Sequence, residues 1–98
     1  MSFGRLILTL SNGSEQVFEL GKSTVTLGRA TTNDIILTDT RISRNHAQVE
    51  CTPQGCSVVD LGSSNGTRLN DERVERASMK PGDVLTLGSN QLRYESAS

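Results

Sequence analysis

The chain reads as an all-β sandwich of about ten short, mostly antiparallel strands. Three observations carry that reading. Apolar residues recur at period two in short runs, turn-forming residues cut those runs every several positions, and no segment sustains a helical period.

The elements follow in order along the chain. Leu6, Leu8 and Leu10 alternate with Ile7 and Thr9 in the first run. Asn12-Gly13 then supplies a positive-φ pair for a tight hairpin, and the return run sets Phe18 and Leu20 on one face. Val25 and Leu27 form a third run ending at Gly28, and Ile35-Ile36-Leu37 is a short buried strand after the polar Thr31-Thr32-Asn33-Asp34. A long loop from Thr38 to Asn45 leads into Ala47, Val49 and Cys51, which alternate with Gln48 and Glu50. Cys56 to Leu61 pairs back across Pro53-Gln54-Gly55. Gly62-Ser63-Ser64-Asn65-Gly66 is a turn, Thr67 to Leu69 a short strand, and Asn70-Asp71-Glu72 a further turn. Val74 begins one more short strand. Pro81-Gly82-Asp83 turns the chain into Val84 to Leu87, and Ser89-Asn90 into Gln91 to Tyr94, with Leu92 and Tyr94 on one face. Residues 1–95 make one domain, and Ser96-Ala97-Ser98 reads as a frayed end or linker stub.

Composition narrows the function. At 98 residues there is room for one domain, and 34% apolar content without tryptophan points to function in loops rather than in a large apolar pocket. A net charge of −1 with only three aromatic residues argues against nucleic-acid binding. No run approaches the roughly 18 apolar residues of a membrane span, and Met1-Ser2-Phe3-Gly4-Arg5 lacks a signal-peptide pattern, so a cytoplasmic location is expected. Cys51 and Cys56 flank a hairpin turn and can face each other across two strands. Because cytosolic disulfides are rare, a reduced, packed pair is the expected state. One histidine and two cysteines make a zinc site improbable, and no metal or cofactor is expected.

Three polar motifs fall where strands meet turns: Gly28-Arg29, Ser43-Arg44-Asn45-His46 and Ser64-Asn65-Gly66-Thr67. Arg29 stands at the rim after a glycine that permits a sharp bend. A guanidinium fork makes two parallel charge-assisted bonds to phosphate and stays ionised at physiological pH. Ser43 sits among Arg41 and Arg44, with Ile42 as an anchor into the core beneath the loop. His46, at the mouth of a strand, suits a structural bridge between the Ser43 and Asn65 loops. Asp60 suits a loop brace, and Gly62 and Gly66 permit loop geometry that side chains would obstruct. Each motif taken alone also fits a plain surface turn, and Asn65-Gly66 alone fits a hairpin.

Ordered and spaced in this way, the three motifs resemble those of the forkhead-associated (FHA) domain, a phosphothreonine reader, and the likeness extends over nearly the whole chain. The resemblance implies an eleven-strand sandwich with binding loops at one end, so one short strand is expected to hide within Asp71 to Lys80. It implies that Arg29 and Ser43 bind phosphate, that Arg44 flanks it, and that Ser64 and Asn65 contact the peptide backbone. Gly28, His46, Asp60, Gly62, Gly66 and Thr67 would support the site, and Arg41 would favour an acidic residue downstream of the phosphothreonine. The implied partners are a phosphothreonine protein or peptide and, upstream, a Ser/Thr kinase, with no nucleic acid or membrane. The chain would act as a monomer or as part of a larger signalling protein. Some bacterial relatives fold a phosphorylatable N-terminal tail onto the site, and the few residues before the first strand are not expected to do so. Two other readings stay open: a phosphate-independent interaction module, and a hydrolase built from Ser43, His46 and Asp60, which lacks a Gly-x-Ser-x-Gly elbow.

Overall fold

A computed structural model describes residues 2–96, which form two β-sheets packed face to face. Eleven strands follow in chain order: β1 (Gly4–Thr9), β2 (Glu15–Glu19), β3 (Thr24–Gly28), β4 (Ile35–Ile36), β5 (Ala47–Thr52), β6 (Gly55–Asp60), β7 (Thr67–Leu69), β8 (Glu72–Val74), β9 (Arg76–Met79), β10 (Val84–Leu87) and β11 (Asn90–Ser96). One sheet runs β2-β1-β11-β10-β7-β8 and the other β4-β3-β5-β6-β9. All pairings are antiparallel except that of β3 with β4. The expected sandwich is therefore present.

Alternation decides what is buried. Leu6 and Leu8 of β1, Val49 of β5, Val58 of β6 and Leu92 and Tyr94 of β11 all point into one core between the sheets. Ile42, at 1% exposure, is driven into the same core from the long loop, as expected of an anchor. Leu10, expected to continue the β1 stripe, is instead 39% exposed, because the strand ends at Thr9 and Leu10 opens the turn.

The segment 71–80 holds both β8 and β9. These edge strands join opposite sheets, and only Val74, Ala77 and Met79 turn any apolar side chain inward, which is why their pattern is faint in the sequence. At the other end of the chain, β11 extends to Ser96, which pairs with Gly4, so the strand takes in the first residue of the expected stub. Ala97 and Ser98 lie outside the described residues.

Three readings need correction. In the first hairpin only Gly13 has positive φ (88°); Gly13 N–H donates to Leu10 O at 2.9 Å, and the Asn12 side chain accepts from Ser14 N–H. The five-residue connection is long enough for a right-handed turn closed by one glycine, so no two-residue mirror-image turn is needed. That turn occurs instead between β7 and β8, where Asn70 (φ 54°) and Asp71 (φ 68°) are both left-handed. The plain hairpin that Asn65-Gly66 alone also fitted is not formed: the pair lies in the connection that carries the chain from β6 in one sheet to β7 in the other. Finally, Cys51 and Cys56 form a disulfide rather than a reduced pair. They are direct register partners whose Cα atoms lie 4.1 Å apart with both side chains buried on the core face, so the sulfurs are forced together.

Candidate functional site

The register of the second sheet brings the three motifs together. Leu27 of β3 pairs with Ala47 of β5, and Ala47 pairs with Asp60 of β6. Because β5 is antiparallel to both neighbours, the end of β3, the start of β5 and the end of β6 share one edge. His46 N–H donates to Leu27 O at 3.0 Å and Leu61 N–H to His46 O at 2.9 Å, carrying the row one step further. Gly28-Arg29, Ser43 to His46 and the 61–66 connection leave from that row.

Beyond it, the loops are stitched to one another. Arg29 N–H donates to Ser43 O at 3.0 Å, and Arg29 Nε–H donates to Ile42 O at 3.2 Å, which fixes the guanidinium beside the Ser43 loop. Ser64 N–H donates to Ser43 Oγ at 3.1 Å, and Asn65 Nδ2–H donates to Arg41 O at 2.8 Å. The Ser43 hydroxyl is thus held as an acceptor and keeps its own proton to donate outward. Arg29, Arg44, Ser64 and Asn65 are exposed, and Ser43 is half-buried.

Beneath this rim lies His46, at 0% exposure. Its Nδ1 accepts from Ser43 N–H at 3.1 Å and its Nε2 faces Gly66 O at 2.9 Å. The first contact requires a bare nitrogen and the second a protonated one, so the ring is the neutral Nε2–H tautomer bridging the two loops. Asp60 braces the third loop, accepting from Gly62 N–H (3.0 Å), Ser63 N–H (3.1 Å) and the hydroxyl of Thr67 (2.7 Å). Burial opposes its ionisation, but the hydrogen bonds from Ser63, Thr67 and Gly62 outweigh that and hold the carboxyl below its usual range. These partners also dismantle the hydrolase arrangement. Both ring nitrogens of His46 engage backbone groups, and Asp60 bonds to its own loop, so Ser43, His46 and Asp60 form no relay.

Gly28 was expected to permit a bend. Its φ is not positive, and its actual role is clearance, since a Cβ there would strike the carbonyl oxygen of Arg44. That same oxygen accepts from Ala30 N–H at 3.2 Å and from Asn33 Nδ2–H at 2.7 Å. Asn33, 8% exposed, is therefore a site-building residue that the sequence did not single out; flanked by Thr31, Thr32 and Asp34, it reads as ordinary loop. Asp39 was also missed. It accepts from Ser89 Oγ (2.6 Å), Ser89 N–H (2.9 Å) and Arg41 N–H (3.0 Å), tying the long loop to the β10–β11 turn. Hydrogen bonds from Ser89 first, then from the Arg41 backbone, hold its carboxyl far below its usual range.

Charge is sorted by position. Elsewhere, Arg5 pairs with Glu19 and Glu95, Lys22 with Asp34, Arg76 with Glu50, and Arg93 with Glu15 and Glu95. Arg41 has Asp39 at 3.6 Å. Among the described residues, Arg29, Arg44, Arg68 and Arg73 form no ion pair, and all four lie at or beside the stitched loops. Lys80, likewise without an ion pair, stands next to Met79, the register partner of Cys56 at the opposite end. A cleft of about 300 Å³ runs from Arg41 and Asn65 to Arg68 and Thr86. The larger groove, about 470 Å³ beside Val17, Phe18, Val25 and Ile35, offers a single cation, Lys22, already bound to Asp34 at 2.6 Å.

A family model described as FHA domain matches residues 25–88, the span that holds all three motifs. The chain belongs to the FHA domain family. Over 76 residues this FHA domain is 42% identical to the ABC transporter ATP-binding/permease protein Rv1747 of Mycobacterium tuberculosis, covering 78% of this chain and 9% of the transporter. It is 39% identical over 77 residues to the glycogen accumulation regulator GarA of Mycolicibacterium smegmatis, covering 79% of this chain and 49% of that protein. The oxoglutarate dehydrogenase inhibitor of Corynebacterium glutamicum gives the same identity over the same length, with 54% of the inhibitor covered. The chain thus spans about half or less of these curated relatives. Among solved structures, one from a study of phosphothreonine-dependent FHA domain interactions superposes with a TM-score of 0.86 at 29% identity, covering 96% of this chain and 98% of that one. The FhaA FHA domain complexed with the intracellular domain of Rv3910 gives 0.83 at 30% identity, with 92% and 99% covered.

Proposed function

We propose that this FHA domain is a non-enzymatic signalling module that binds phosphothreonine peptides or proteins through its stitched loops. One observation carries the reading: an exposed guanidinium, Arg29, which forms no ion pair among the described residues, is locked by the Ile42 carbonyl beside the Ser43 loop, whose serine hydroxyl accepts from Ser64 N–H and donates to no acceptor among them. That pairing suits a doubly charged oxyanion, and the solved FHA relatives support it. Arg29 and Ser43 bind the phosphate and Arg44 flanks it. Ser64 and the outward half of the Asn65 amide meet the peptide backbone. Gly28, His46, Asp60, Gly62, Gly66 and Thr67 hold these groups in place before ligand arrives, which lowers the ordering cost of binding.

Each hydrogen bond to a charged group contributes about 1.5–3 kcal/mol, and three or four of them less the cost of association leave an affinity near the micromolar range. Threonine is distinguished from serine by one methyl group, worth about tens-fold. Arg41 lines the cleft that leads away from the loops and favours an acidic residue downstream of the phosphothreonine, although Asp39 shares its charge. The writer of the mark is a Ser/Thr kinase, the setting is cytoplasmic with the Cys51–Cys56 disulfide an exception to the usual reduced state there, and the module works alone or within a larger signalling protein.

An oriented peptide library with fixed phosphothreonine, screened beside its unphosphorylated counterpart, tests this reading. Binding should require the phosphate and should enrich Asp or Glu downstream. Equal capture of both libraries would identify a phosphate-independent interaction module instead.

A further inference from the structure

Opposite charges set face to face across paired strands are stabilising, and like charges directly opposed are destabilising. The outer face of the six-stranded sheet obeys this at one side, where Arg5 has Glu19 and Glu95 as its register partners. At the other side it does the reverse. Arg68 of β7 is the direct register partner of Arg73 of β8, both are exposed, and neither has an ion pair among the described residues. Arg73 is also held against the binding loops: a Cβ on Gly66 would lie 2.6 Å from its Nε and 2.9 Å from its Cζ, so the guanidinium rests over Gly66. Arg68 lines the cleft that begins at Arg41 and Asn65. Beyond Arg73, β8 is the edge of its sheet, open to an approaching chain.

We propose that Arg68 and Arg73 form a second anion-binding subsite, which takes a phosphate or carboxylate carried on the same peptide as the phosphothreonine. The proposal rests on the phosphothreonine reading above. Two guanidinium forks side by side offer paired donors to one oxyanion, and the repulsion between them is relieved when it binds. The cleft from Asn65 to Arg68 gives the path by which a peptide leaving the loops reaches this pair.

Calorimetry on one peptide series tests it. The parent carries phosphothreonine among neutral residues; its derivatives carry one phosphoserine, or an Asp-Glu pair, at successive positions on either side. At one or two positions the second anion should tighten binding about five- to tenfold, and the gain should shrink at high salt. A larger gain from phosphoserine than from Asp-Glu assigns the subsite to a phosphate, and equal gains assign it to acidic residues. The gain should vanish in Arg68→Gln and in the Arg68→Gln/Arg73→Gln pair; the single variant guards against a disturbed Gly66 contact in the double one. Parent binding without a gain at any position overturns the proposal and leaves the phosphothreonine reading intact. If every gain survives both variants, the second anion is held elsewhere, as at Arg41, and the proposal is overturned as well. Failure of the parent itself to bind overturns both.

Discussion

A methyl group on residue 28 would meet the Arg44 carbonyl oxygen and crowd the Asn33 amide, the two groups that hold the Ser43 loop against the end of β3. Gly28→Ala should therefore cost about 1–3 kcal/mol of stability, as overpacking does, and should weaken phosphopeptide binding by displacing that loop. Thermal melting beside calorimetry checks both effects, and an unchanged melting temperature would contradict the clearance role. Glycine at the site was legible in the sequence, but its reason was not, because the atom it avoids belongs to a residue far along the chain. His46 was more readable. A lone histidine at a strand mouth between two polar loops has few other uses, and its two ring contacts are those of the expected bridge.

At the scale of the elements, the long loop before β5 is held by one carboxylate. Asp39 joins it to the β10–β11 turn through Ser89 and to its own backbone at Arg41. Its folded-state carboxyl ionises well below the ordinary 3.8, so its contribution is complete above that value and is lost as pH falls through the folded-state value. Asp39→Asn should melt earlier than the parent at neutral pH, and the gap should close progressively below pH 3.8. A gap that stays constant into that acid range would show that ionisation of Asp39 is not what secures the loop. Strands with a clean period of two were legible with their bounds, whereas for β8 and β9 only a short strand from Val74 and one hidden within 71–80 were expected, since exposed edges need no apolar face. The partners of Asp39 could not be read from sequence either, because Ser89 lies fifty residues away.

Over the whole molecule, a net charge of −1 conceals an uneven distribution. Arg5 is neutralised by the glutamates in register with it, while Arg29, Arg44, Arg68 and Arg73 at or beside the loops form no ion pair among the described residues, and the disulfide closes the hairpin at the opposite end. The fold class and the three motifs were legible because turn chemistry and alternation are local signals. The Arg68–Arg73 opposition was not, because register between strands decides it; the facing of Cys51 and Cys56 was read, and the disulfide was missed because the rarity of cytosolic disulfides argued for thiols. The central claim is that Arg29 and Ser43 together seat a phosphate dianion. Calorimetry of one phosphothreonine peptide against the parent and Arg29→Ala, above and below pH 6, tests it most directly. The parent should bind and then weaken as the phosphate takes up its second proton near a pKa of about 6, well above the range in which Asp39 and Asp60 titrate. Arg29→Ala should stay folded and lose binding, whereas near-parental affinity in that variant would contradict the account.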